Sequence, residues 1–182
     1  QLYKPRDSRE YVMDKVLEDF TFAANNVRTS DGTDGLTVNR SVVDAYMSKV
    51  FLFEGTWQKY REKNNEYAEK YLKAAKDAAA RVMDGTSGKT YSISDDYKAL
   101  TTSLDLAGNK EIILYRSYVA GVKTHAEMSW QIEQVQASAP SKSLVESYLT
   151  TNGLPIHQSG NSDYKGDKTI KDELANRDPR LL

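Results

Sequence analysis

The chain has 182 residues, enough for an ordinary domain with its own hydrophobic core. Its 25 Lys and Arg nearly balance 26 Asp and Glu, which removes any broad electrostatic reason to expect nucleic acid or an acidic membrane as partner. The absence of cysteine excludes disulfides, zinc–thiolate sites and thiol catalysis, and a mean hydropathy of -0.66 with no long apolar run excludes a transmembrane helix.

At the start, Pro5 holds the chain extended before a helix. Asp7 and Glu10 have capping-box spacing, and Val12, Met13, Val16, Leu17 and Phe20 form an apolar stripe at helical spacing, which predicts a helix over residues 9–25. The run TSDGTDG (29–35) is a loop broken by two Asp-Gly pairs. A second helix is predicted over 41–53, where Val42, Ala45, Tyr46, Val50 and Phe53 recur at three and four, with Gly55 as its stop. Trp57, just beyond, is expected to cover the helix pair. After the polar EKNNE comes the cleanest pattern: Tyr67, Ala68, Tyr71, Leu72, Ala75, Ala78, Ala79, Val82 and Met83 define a buried face that ends at Asp84-Gly85. The second and third helices thus read as an antiparallel pair. Its small-and-aromatic pattern is similar to a tetratricopeptide repeat, without the full repeat signature.

Beyond Gly88 the texture changes. Tyr91-Ser92-Ile93 is strand-like, residues 96–100 read as a helical turn, and 111–119 as a strand on its apolar, period-two character, with a buried helix carrying Ile112, Ile113 and Leu114 as the alternative. Residues 120–139 and 157–168 show no period. A stretch of about twenty residues without one is longer than most loops. Between them, PSKSLVESYLTTNGLPI (140–156) reads as a short helix capped by Ser141 or Ser143, with Ser143 and Glu146 in capping-box spacing. Asn152-Gly153 ends it, and Pro155 holds Leu154 extended. Near the C-terminus, Asp178-Pro179 reads as the cap and first residue of another helix.

Motifs of catalysis are weak. GTSGKT (85–90) ends like a phosphate-binding loop, but Met83 stands where that loop needs glycine, and a helix precedes it where a strand should. A glycine-rich helix stop is the better reading. His125 and His157 have no ligand-like spacing, and Asp95-Asp96 and Asp163 with Asp167 lack the order of a calcium loop. Nothing marks a carboxylate pair set for glycoside hydrolysis, so no enzyme and no cofactor is expected. Aromatic residues are the one rich resource, with 12 Tyr and 2 Trp. Tyr46, Phe53, Tyr67 and Tyr71 lie on helical stripes and are expected in the core. Tyr118, Trp130 and Tyr164 instead sit in or beside the two irregular stretches, where aromatics on loops carried by a scaffold serve recognition. With His125 and Gln131 as polar companions, these form the candidate ligand-binding set.

The stretch at 140–156, followed about twenty residues later by NRDPRL (176–181), resembles the signature region of the SusD/RagB family. AYMSKVFLFEGTWQKY (45–60) and NKEIILYRSY (109–118) agree with it. The resemblance runs with gaps over nearly the whole chain. It implies a mainly α, SusD-like scaffold with a tetratricopeptide-like helix pair, long irregular loops and little strand. Residues 1–182 would then be one SusD-like region of a longer chain that continues past Leu182, with a helical scaffold at 9–85 and a mixed, loop-rich part at 86–182 holding the capped helix at 141–152. Members of that family are surface glycan-binding lipoproteins of Bacteroidetes. The resemblance therefore implies binding of an oligosaccharide or polysaccharide at the outer membrane and its delivery to a SusC-like TonB-dependent transporter. With no cysteine in this sequence, the lipid anchor would belong to another part of the protein. The alternative is a tetratricopeptide-like protein-interaction module without glycan binding.

Overall fold

The computed structural model describes residues 3, 5–30, 35–126 and 139–181. The described residues are mainly helical, and their only β pairing is two isolated antiparallel bridges. No described helix is long and apolar enough to cross a membrane. The chain divides into two compact units, Gln1–Ser117 and Tyr118–Leu182, so that residues 86–117, which the sequence places in the loop-rich part, cluster with the helices.

Three long helices build the first unit: α1 (Arg9–Asn26), α2 (Arg40–Trp57) and α3 (Asn65–Met83). Each starts on a side-chain cap, with Ser8 accepting from the Tyr11 N–H, Asn39 from Val42 and Asn64 from Tyr67. Asp7 is thus not the cap of α1. Asp44 of α2 meets Arg81 of α3, and Gly55 meets Leu72, so the two helices run antiparallel. Met47 and Phe51 of α2 and Tyr71, Ala75 and Ala78 of α3 form the core, covered by Met13, Val16, Leu17 and Phe20 of α1. The Phe51 ring stacks on Tyr71 at 5.5 Å between centroids and meets the edge of Phe20 at 6.0 Å.

The buried face of α2 differs from the sequence expectation. Tyr46 and Phe53 are 52% and 61% exposed, while Val43, Met47, Phe51, Glu54 and Gln58 point inward. Of the polar side chains buried on this helix and its continuation, Glu54 and Gln58 find partners on α1 and Asp44 on α3. Met83, at the end of α3, is likewise exposed rather than packed. Nor does Gly55 stop α2. It lies buried inside the helix, which runs on through a π-helical turn, Gln58–Glu62, to a left-handed Lys63. The glycine serves close approach instead, since a Cβ there would stand 2.6 Å from Leu72 Cγ and 2.9 Å from the Leu72 backbone nitrogen. Because backbone as well as side chain is in the way, Gly55→Ala is expected to destabilise the protein by about 2–3 kcal/mol, the upper part of the overpacking range. Urea denaturation followed by helical circular dichroism checks this, and an unchanged midpoint refutes it.

After α3, the GTSGKT stretch turns the chain. Gly85 takes φ +81°, and the Ser87 N–H returns to the Arg81 carbonyl. Asp96 caps a short α4 (Tyr97–Thr102). Residues 111–119 do not form the expected strand. Their apolar residues find no partner strand among the described residues, and single backbone bonds, Ser92 N–H to Lys110 O and Tyr115 N–H to Gly35 O, hold this region.

In the second unit, Ser141 caps α5 (Lys142–Ser147), and Thr169 caps α6 (Ile170–Leu174) ahead of a 3-10 turn at Pro179–Leu181. The helix predicted over 141–152 stops at Ser147. Asn152-Gly153 belongs to a separate tight turn, in which the Gly153 N–H reaches Thr150 O and the Thr150 N–H reaches Leu154 O.

Candidate functional site

Of the five residues singled out in the sequence, two come together. Val119 and Lys123 exchange backbone hydrogen bonds, both 2.9 Å, around Gly121 at φ +76°. That tight reversal sets the Tyr118 ring against the His125 ring, edge to face, with centroids 4.7 Å apart at 82°. Tyr118 is 46% exposed, and the Lys123 ammonium lies 5.9 Å from its ring. The result is an accessible aromatic surface beside an imidazole and a cation, able to pack against an apolar face and to hydrogen-bond at its margin.

Tyr164 has a different use. Its ring packs under the Arg177 guanidinium at 5.5 Å, and burial, together with the nearby charges of Asp167 and Glu173, pushes its phenol pKa up. It belongs to the packing around Arg177. Trp130 and Gln131 lie outside the described residues.

Arg177 was not singled out by sequence, yet it organises the second unit. It is 2% exposed. Its Nη2 donates to the carbonyls of Val145 (2.6 Å) and Tyr148 (3.0 Å), and its Nη1 to Glu173 O (3.0 Å). Around it, the Thr151 N–H donates to Asn176 O and the Asp178 N–H to Leu149 O, which joins the stretches 140–156 and 176–181 as a short antiparallel pair. The Asn161 amide completes the arrangement by donating to Thr150 Oγ1 (2.9 Å) and Pro155 O (3.0 Å). In sequence Arg177 stood out only by its place in NRDPRL.

Three of the four carboxylates considered for calcium have structural partners. Asp96 caps α4, Asp163 accepts from Thr151, and Asp167 pairs with Lys142 at 2.6 Å. Among the described residues no group of three or more His, Asp or Glu could hold a metal ion.

In the first unit two clefts open beside α2. One, of about 340 Å³, lies between Val42, Ala45, Tyr46 and Lys49 and the irregular segment from Glu111 to Leu114. The other, of about 380 Å³, is bounded by all three long helices and carries four cations. No family model, curated protein or solved structure matches the chain.

Proposed function

We propose that the chain is part of a SusD-like protein that binds an oligosaccharide or polysaccharide at the cell surface and passes it to a TonB-dependent outer-membrane transporter. The observation that carries the reading is the union of its two signature stretches: 140–156 and 176–181, about twenty residues apart in sequence, meet through Arg177 and the Thr150–Arg177 bridge. Such mutual dependence is what a recurring architectural signature requires. The mode of action is passive. An aromatic face at Tyr118 packs against sugar C–H groups while His125 and its neighbours meet hydroxyls, with no covalent step and no cofactor.

A glycan array followed by titration calorimetry tests this on the chain and on its Tyr118→Ala and Trp130→Ala variants. The expected result is saturable glycan binding weakened about tenfold by Tyr118→Ala, the loss of one aromatic contact, at unchanged melting temperature. Absence of binding to any glycan refutes the reading.

A second reading, a protein-interaction module, draws on the two clefts beside α2 and on the exposed Tyr46 and Phe53. It gains if glycans fail to bind while Tyr46→Ala and Phe53→Ala abolish capture of a defined helical peptide.

A further inference from the structure

Four cations, Arg40, Lys70, Lys73 and Arg81, line the cleft between α1, α2 and α3, whose apolar floor includes Ala24 and Met47. Three of them are neutralised. Lys70 pairs with Asp14 at 2.7 Å, Lys73 with Asp77 at 2.6 Å, and Arg81 with Asp44 at 2.6 Å. Arg40 is the exception. Its natural helical partner is Asp44, four residues on. Both oxygens of that carboxylate are already engaged, Oδ1 by the Nε and Nη2 of Arg81 and Oδ2 by the Ser87 hydroxyl. Arg40 consequently has no ion pair among the described residues, and its Nε–H is buried without an acceptor. A buried charge-bearing donor left unmatched is destabilising, and a missing ion is one of the few physical reasons to keep it. The guanidinium edge formed by Nε and Nη is also the fork that grips carboxylate, phosphate or sulfate oxygens two at a time.

We propose that this cleft binds the oxyanion group of a small ligand, with Arg40 holding it. Lys70, Lys73 and Arg81 are held in their own ion pairs and Asp77 also lines the cleft, so the unmatched charge there is that of Arg40. The Asn25 side chain on the same wall offers a further donor. At about 380 Å³ the cleft is within the size range of small-molecule sites and admits a monosaccharide or a comparable molecule around the anionic group. The site is independent of the Tyr118–His125 surface, and either can fail without the other.

The test is titration calorimetry and thermal melting of the chain at low ionic strength, where screening is weak. Inorganic phosphate, sulfate and glucuronate are the probes. Saturable binding of at least one is expected, with an accompanying rise in melting temperature. A response to glucuronate alone identifies a carboxylate-bearing ligand, and a response to phosphate or sulfate an ester. Arg40→Gln is expected to weaken binding at least tenfold, and Arg40→Lys, which keeps the charge but loses the fork, to weaken it less. Lys171→Gln, an exposed charge in the second unit, should leave affinity within about twofold, the level of a general charge effect. Because Arg40 has no side-chain partner among the described residues, Arg40→Gln should melt no lower than the parent in anion-free buffer. Failure of all three anions to bind, binding indifferent to Arg40→Gln, or a drop in melting temperature on that substitution overturns the proposal.

Discussion

Replacing Arg177 by alanine is expected to unfold the region around α5 and α6 while the three-helix unit stays intact. The guanidinium donates to three backbone carbonyls, those of Val145, Tyr148 and Glu173. Hydrogen bonds from a charged donor contribute about 1.5–3 kcal/mol each, and they do not add fully when they share one side chain. The unpaired Nε of Arg177 offsets part of the gain. A loss of about 4 kcal/mol follows, against a total stability of roughly 3–10 kcal/mol for a unit of about 65 residues. Hydrogen exchange separates local from global effects. The amides of Thr151 and Asp178, which cross-link residues 140–156 and 176–181, should lose their protection, whereas those of α2 and α3 should keep it. Arg177→Lys should rescue little, because one ammonium cannot reproduce a planar fork that reaches carbonyls on both α5 and α6. Retained protection at Thr151 and Asp178 in the alanine variant would show that the backbone pairing stands without Arg177.

The contrast between what sequence reading found and what it missed has a physical basis. The long helices were legible because their period is local: apolar residues recur at three and four. Their ends were read less well, since Ser8 rather than Asp7 caps α1, and Asn39 and Asn64 were not singled out as caps. The inward face of α2 was not legible in the same way. Its buried positions include Asp44, Glu54 and Gln58, and what makes their burial tolerable stands far along the chain, Arg81 for one and Arg9 for another. Hydropathy assigns such residues outward, which pushes the inferred stripe toward Tyr46 and Phe53. Residues 111–119 show the converse fault. Their apolar run, Ile112 to Tyr115, reads as a strand, but a strand needs a partner, and the described residues offer none. The candidate surface was legible in part: Tyr118 and His125 could be marked as loop residues, while their contact depends on the reversal at Gly121. Arg40 shows no sign in sequence at all, since an acid four residues away reads as its partner until Arg81 and Ser87 are seen to occupy it.

Arg9→Met should cost stability and also invert the pH dependence of the helical unit. Glu54 is 1% exposed, and its two oxygens accept from Arg9 at 2.7 to 3.0 Å, with Gln58 adding a further bond at 3.0 Å. Burial pushes the Glu54 carboxyl pKa up. The hydrogen bonds from Arg9 and Gln58 and the Arg9 charge outweigh it, so that the folded pKa lies below the ordinary value. A group with a depressed folded pKa contributes stability that is present above its unfolded pKa and is lost as pH falls through the folded one. In the parent protein, therefore, this pair strengthens the attachment of α1 to α2 at neutral pH and weakens it in acid. Methionine at position 9 removes the main opposing influence and leaves burial dominant, which places the folded pKa above the unfolded one. The sign then reverses, and Glu54 destabilises progressively as pH rises through the unfolded pKa, levelling off above the folded one. The gap between variant and parent should be small near pH 3, where Glu54 is largely protonated in the unfolded chain, and approach about 3 kcal/mol at pH 7. That is the low end for a broken buried pair, because the Arg9 side chain is 40% exposed and water already screens its half of the interaction. Arg9 also lies over the Trp57 ring at 4.6 Å, a contact that the substitution removes as well, so helical circular dichroism is the signal that follows unfolding in both proteins. Denaturant titrations at several pH values between 3 and 7 give the result directly. A gap that is constant across that range would mean that Arg9 acts through its packing on Trp57 rather than through the buried carboxylate.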